Sequence, residues 1–410
     1  MNAKGISFTD PDTQVCPFHA YNAVREQSPA YRDPVGGFFI VTDYEHVRAV
    51  AMDTATYSSE TGLMFVKDSP IKAKIDQIWQ EHGVPPVNAM VVKDDPEHQF
   101  HRSLVDKAFT PQRVKQMEDY LASIVDDMID AYINEAEVDF HNRMSVLVPL
   151  SVIADQLGVP RTNMDKFKFW SDTVMKECDQ SNSPDEQIKI TYDMCEFQRY
   201  VVEKAKEYQA KPAECMLSDM VNADVNGRRL SINELVSIVA QILTAGNETT
   251  AAAMSSAMIR LIEEPGLEQK LRDDPQLIPA FVEEVLRLDA PIQGLFRRAT
   301  RDTEIGGVAI PEDSIVVIKW GAANRDPAQC ANPDALDLAR TNSKRHVTFG
   351  YGAHFCIGNQ LARGELRIAI GHLLKRMKNF RFTRGENSVV RHAHYFSHSA
   401  HALYIAFDKA

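Results

Sequence analysis

Basic residues are in the minority in this chain of 410 residues: 45 Lys plus Arg face 57 Asp plus Glu, a formal net charge of −12. Nucleic-acid binders draw their affinity from cationic contacts to phosphate, so a general role of that kind is excluded. Long hydrophobic runs are missing too. The richest apolar stretches, such as 314–320, have strand length and fall short of the ~18 residues of a membrane helix, so no membrane anchor is expected. The opening M-N-A-K-G-I-S-F-T-D lacks the basic and then apolar regions of a secretory signal, which makes the cytoplasm the expected location. Cys16, Cys178, Cys195, Cys215, Cys330 and Cys356 are scattered, with no C-x-x-C pair. Free thiols are expected, and any cysteine that matters must act singly, as a nucleophile or a lone metal ligand. Internal repeats, low-complexity linkers and a dinucleotide fingerprint are absent as well, and one compact domain over 1–410 is expected.

What is present is an ordinary globular composition, 44% hydrophobic and 25% charged, enough for a large buried core. Gly36-Gly37 before the apolar run 38–41 predicts a hairpin within 30–42, followed by a helix over 44–52. From Pro96 to about Ala210 the spacing is helical, as in Leu121, Ile124, Val125, Met128, Ile129 and Tyr132. Ser231 with Glu234 forms a capping-box pattern, and no proline follows until Pro265. A helix of roughly 33 residues, about 50 Å long at 1.5 Å each, is expected. Its middle, Ala245-Gly246-Asn247-Glu248-Thr249-Thr250, puts glycine, a carboxylate and hydroxyls where core packing favours Leu or Ile. Either a function is served there, or Glu248 faces solvent and a Thr bonds back to its own helix. A helix ending before Pro291 carries Glu284 and Arg287 at i, i+3, on their own no more than a surface ion pair. Strand-forming runs at 303–320, with a Gly306-Gly307 turn, and at 381–407 complete a mainly α protein with small β-sheets.

The most informative stretch is Phe349-Gly350-Tyr351-Gly352-Ala353-His354-Phe355-Cys356-Ile357-Gly358, ahead of a helical pattern over 359–377. The glycines permit positive φ and close backbone approach. The helix start favours negative charge on sulfur. Three roles are open to such a thiolate: redox nucleophile, one ligand of a zinc ion, or axial ligand of a heme. Only the last calls for a flat approach relieved by glycine.

At these residues the chain resembles the cytochrome P450 superfamily, whose heme-binding loop F-G-x-G-x-H-x-C-x-G is matched at every defined position. Ala245-Gly246 with Glu248-Thr249 looks like the family's oxygen-activation motif, and Glu284-x-x-Arg287 like its E-x-x-R. Asn324-Arg325-Asp326-Pro327 resembles the segment whose Arg completes a buried triad with that Glu and Arg. Asp95-Pro96-Glu97-His98 through Arg102 resembles the propionate-binding helix, with Arg297 and His354 as the remaining propionate partners. The resemblance spans most of the chain. It implies a single-domain P450 fold with heme b (iron protoporphyrin IX) between the long distal helix and the proximal cysteine loop. Cys356 would ligate the iron, with Phe349, Gly358, Ala245, His98, Arg102, Arg297 and His354 around the cofactor. Glu248 and Thr249 would relay protons, and Glu284, Arg287 and Arg325 would be structural.

The same resemblance implies a monooxygenase that uses dioxygen on a small apolar molecule such as a terpenoid, steroid or aromatic compound. Substrate contacts are expected within 61–92, ahead of Glu248, and near 292–296 and 395–401. The candidates are Leu63, Met64, Phe65, Met90, Leu243, Ala245, Leu295 and Phe296, with Gln293 and Ser397 for orientation. Lys344, Arg345, Arg363, Arg367, Lys375, Arg376, Lys378 and Arg381 cluster in an otherwise acidic chain, opposed locally by Glu365 alone. They suggest a basic face for an acidic partner, by resemblance an iron–sulfur ferredoxin fed from NAD(P)H by its reductase. A peroxide-driven peroxygenase and a heme sensor or carrier are the alternatives. Glu248 and Thr249 speak against the first, and the absence of an output domain against the second.

Overall fold

The computed structural model describes residues 5–61, 71–177 and 182–410, without the side chains of Lys107 and Arg161. Its residues gather into two compact units, Met1–Ser59 with Val114–Val148 and Glu248–Ala410, and Glu60–Arg113 with Pro149–Asn247. Each unit is assembled from separated segments. The chain therefore passes between them inside ordinary elements, which explains why no linker marks a boundary.

Among the described residues, the first unit carries all the sheets. Its five-stranded sheet runs in the order Tyr31–Arg32, Phe39–Val41, Ile315–Ile318, Leu295–Ala299, Tyr57–Ser58. The expected hairpin forms by pairing Tyr31 with Ile40 and Arg32 with Phe39, with Gly37 at φ +71° in the turn. Asp33 holds that turn by accepting from Val35 and Gly36 N–H. Phe39–Val41 runs parallel to Ile315–Ile318, and Leu295–Ala299 pairs antiparallel on its other side, setting Arg297 opposite Val316. Thr303–Ile305 and Val308–Ile310 form a separate hairpin. Gly306 and Gly307 both have positive φ, the requirement of a two-residue primed turn. At the C-terminal end, Ala402–Lys409 pairs with Val389–Val390, Met377–Phe382 and Val138–Asp139. The last strand interrupts the region expected to be wholly helical. The helices Glu118–Tyr132 and Ile278–Leu288 both pack on Asn359–Arg376, which leads into Met377–Phe382. Ile278–Leu288 is buried on nearly every side, which is why it tolerates so few polar residues without partners.

The second unit is helical among its described residues, built on Lys72–His82, Glu97–Val105, Met164–Glu177 and Pro184–Ala210. Ser183 and Glu186 cap the longest of these with a reciprocal capping box, and Pro184 occupies its first turn. The expected box at Ser231 also forms: Glu234 N–H donates to Ser231 Oγ (3.2 Å) and Ser231 N–H to Glu234 Oε2 (2.8 Å). The long helix it starts runs Ile232–Glu263. No helix among the described residues is long and apolar enough to cross a membrane.

Candidate functional site

In the first unit, Cys356 sits half-buried between the short turn Gly352–His354 and the helix Asn359–Arg376. The loop is locked by its own backbone: Cys356 N–H donates to Phe349 O (2.8 Å) and Phe355 N–H to Gly352 O (3.1 Å). Asn359 Nδ2 donates to Cys356 O (2.8 Å). Gly350 and Gly352 take φ +75° and +77°, and a β-carbon at Gly352 would lie 2.7 Å from the Ala51 carbonyl oxygen. A β-carbon at Gly358 would meet nothing within 4 Å, so the space beside this glycine is open. His354 Nε2 lies 3.0 Å from Ser59 Oγ.

A network absent from the sequence reading supports this loop. Arg363 stacks its guanidinium 4.3 Å from the Phe349 ring centroid and binds Glu283 at 2.7 and 3.2 Å. His346 reaches the same carboxylate at 3.1 Å. Burial alone would raise the Glu283 carboxyl, but the bonds from His346 and Arg363 outweigh it and hold it at about 2. The one sequence signal was that Glu283 adjoins Glu284, two acids on a helix that is otherwise core.

Glu284 and Arg287 form a buried, bidentate pair (2.7 and 2.9 Å), not the surface pair that spacing alone suggested. The third member of this cluster is Arg340, which donates to Glu284 Oε2 at 3.1 Å. Arg325, expected in that position, is committed elsewhere: it binds Asp334 (2.6 Å) and Leu288 O, and lies 4.0 Å from the Phe18 ring centroid. Arg340 lies in a stretch without helical or strand periodicity, so nothing local singled it out. Glu365, nearly two turns into the helix after the cysteine, is buried, and its Oε2 has no hydrogen-bond partner. Burial pushes its pKa up to about 8.

Arg297 is buried on its strand and donates to Phe296 O (2.8 Å). In the long helix, Thr249 is half-buried beside Glu248, whose Oε1 is 3.4 Å from Ser397 Oγ and whose Oε2 is buried without a partner. Burial pushes the Glu248 carboxyl up to about 7, with the Ser397 hydrogen bond opposing.

In the second unit, Gly246 does serve packing, because a β-carbon there would lie 2.6 Å from Ile153. Ala245 is exposed, Asn247 donates to Ser171 Oγ (2.9 Å), and Leu243 is fully buried. His98 and Arg102 occupy i and i+4 of Glu97–Val105. His98 is buried with its Nδ1 3.1 Å from Asp95, and Arg102 pairs with Asp106 at 3.4 Å. Glu97, His101 and Glu234 converge, but Arg228 supplies the cation there, bonding both carboxylates.

A family model described as Cytochrome P450 matches residues 150–391. The chain belongs to the cytochrome P450 family. It is 35% identical over 380 residues to the putative cytochrome P450 YjiB of Bacillus subtilis, covering 91% of each chain. It is 32% identical over 369 residues to a steroid C26-monooxygenase of Mycobacterium tuberculosis, covering 90% of this chain and 88% of the relative. Among solved structures, cytochrome P450 CYP109Q5 of Chondromyces apiculatus superposes with a TM-score of 0.87 at 30% identity, covering 99% of this chain and 98% of that one.

As a cytochrome P450 the protein is a heme-dependent monooxygenase, and its cofactor is heme b. The first unit fits that group: it offers one part-exposed sulfur on a glycine-rich loop at a helix start, with Arg297 and His354 as donors for acidic substituents.

The substrate candidates fare unevenly. Leu63, Met64 and Phe65 lie outside the described residues. Gln293 is buried and already bonded: its Oε1 accepts from Tyr21 (2.9 Å) and its Nε2 donates to Ala290 O (2.6 Å). Phe296 turns into the core and stacks on Tyr395 at 5.4 Å, while Leu295 shares the opposite strand face with Arg297. Ser397 donates to Glu248 Oε1 at 3.4 Å. Met90 is buried, its N–H donating to His101 Nδ1.

Proposed function

We propose that this P450 oxidises a small apolar molecule of the terpenoid, steroid or aromatic class, with electrons from NAD(P)H delivered through a ferredoxin reductase and a ferredoxin. The observation that carries the reading is Cys356, a part-exposed sulfur held on a glycine loop at a helix N-terminus. The steroid C26-monooxygenase, similar over 90% of this chain, supports the substrate class.

When bound, heme supplies the redox chemistry that activates dioxygen. Cys356 would hold the iron as a thiolate, favoured by the helix start, on a loop fixed by its own backbone bonds. Arg297 and His354 neutralise propionate charge by charge-assisted hydrogen bonds, and the family resemblance gives His98 and Arg102 the same role. Glu284, Arg287 and Arg340 brace the cysteine side without touching substrate. Glu248 carries a proton at Oε2, its carboxyl poised near neutrality by burial, and Thr249 beside it passes the proton on through its hydroxyl.

The test is a panel of steroids, terpenoids and aromatics screened for the heme spin shift, then turned over with NADPH, reductase and ferredoxin or with hydrogen peroxide alone. Ferredoxin-dependent product from an apolar ligand is expected. Turnover with peroxide only would replace this reading by the peroxygenase one.

A further inference from the structure

Ser397 is held more firmly than a residue near a binding pocket needs to be. Gln293 N–H donates to Phe396 O (2.6 Å) and His398 N–H to Pro291 O (2.8 Å), so the two residues flanking Ser397 are pinned to one strand-like segment. Ser397 itself pairs with Ile292 as an isolated antiparallel bridge. Its own N–H donates to His394 Nδ1 at 3.1 Å, which leaves the proton of a neutral His394 on Nε2. Ser397 is 7% exposed, and its hydroxyl faces Glu248 Oε1 at 3.4 Å, the one hydrogen bond recorded for that carboxyl among the described residues. Glu248 Oε2 is left buried and unpartnered.

We propose that Ser397 is the positioning residue of the proton-delivering acid: its hydroxyl fixes Glu248 Oε1 and leaves Oε2 as the oxygen that takes up and releases the proton. The inference rests on the reading of Glu248 as that acid. A hydroxyl suits the task where a cation does not. It donates to Oε1 both when the carboxyl is ionised and when Oε2 carries the proton, so it holds the side chain in both protonation states, whereas Lys or Arg would trap the ionised one. Burial raises Glu248 and the Ser397 bond lowers it, and the ionisable groups flanking Ser397 are His394, Tyr395 and His398. His394 already spends its Nδ1 on the Ser397 backbone, while Tyr395 Oη and His398 Nδ1 are buried without partners. Ser397 thus acts on the reaction through Glu248, and its backbone bonds decide where its hydroxyl points.

The experiment compares the heme-loaded wild type with S397A, S397T and E248Q. Two quantities are followed against pH: the infrared stretch of the protonated carboxyl, assigned as the band lost in E248Q, and the share of NADPH electrons that reach product rather than hydrogen peroxide. Without its hydrogen bond Glu248 should titrate higher in S397A, by about 0.5–1 pH unit, taking a net bond of about 1 kcal/mol and 1.36 kcal/mol per unit. The fall in coupling should move with it. S397T, which keeps the hydroxyl, should restore both. If S397A leaves band and coupling unchanged while E248Q alters coupling, Ser397 does not position the acid. If E248Q itself leaves coupling unchanged, Glu248 is not the proton source and both statements fall.

Discussion

Glu283 and Glu365 are buried to a similar degree on neighbouring helices, yet their carboxyls are driven in opposite directions. Glu283 has His346 and Arg363, whose bonds overcome burial and hold it at about 2; Glu365 has burial alone and rises to about 8. The signs follow. Glu283, depressed in the folded state, contributes stability above pH 4.5 that is lost as pH falls toward 2. Glu365, raised in the folded state, is neutral and harmless below pH 4.5, and its burial subtracts stability as pH climbs from there toward 8. Each unit of that interval is worth about 1.4 kcal/mol. E365Q should therefore stabilise the protein more at pH 8 than at pH 5, by a difference of about 2 kcal/mol or more, read from denaturant melts at the two pH values. A gain that is the same at both would show that Glu365 is ionised, with an ion partner, in the folded protein.

The start of the long helix Ile232–Glu263 was legible because a capping box is written within four residues. S231A should remove the hydroxyl that accepts from Glu234 N–H and donates to Glu234 Oε2, costing about 1 kcal/mol. A urea midpoint that stays in place would mean that the first turn draws its stability from Glu234, which also binds His101 and Arg228. The Gly306-Gly307 turn and the helix start after Cys356 were readable for the same reason: positive φ and helix onset are local demands. The interactions that were not readable join distant positions. Arg340 reaches Glu284 across 56 residues, Arg363 reaches Glu283 across 80, and Ser397 reaches Glu248 across 149. Arg325 had the right charge in a motif-like setting, and only the folded chain shows that Asp334 and Leu288 O claim it. Gln293 and Phe296 had suitable chemistry for a pocket, but their side chains turned to Tyr21 and Tyr395.

For the molecule as a whole, the acidic net charge hides a local surplus between Lys344 and Arg381. Part of it is already spent. Arg363 is bound to Glu283, Arg376 to Asp126 and Asp130, and Arg381 to Asp408, while Glu365 is buried and shifted toward its neutral form. Lys344, Arg345, Arg367 and Lys375 are exposed and carry no ion pair among the described residues. In the proposed scheme these four attract the acidic ferredoxin. Because exposed charges are screened within about 10 Å at 0.1 M salt, the rate of reduction by ferredoxin should fall as ionic strength rises. The double variant K344E/R345E should slow it at low salt and remove most of that dependence, with the heme spectrum unchanged. Stopped-flow reduction at two salt concentrations checks this, and an unaltered salt dependence in the variant would place the docking surface elsewhere.

The proposed oxidation and its electron supply presuppose a heme held by the Cys356 sulfur, and the absorption difference spectrum of the dithionite-reduced protein with and without carbon monoxide reports that ligation directly. A strongly red-shifted Soret band in the wild type, lost in C356A, is the result expected of thiolate ligation. A band typical of histidine ligation, or a red-shifted band that survives in C356A, would contradict the assignment of Cys356 as the axial ligand.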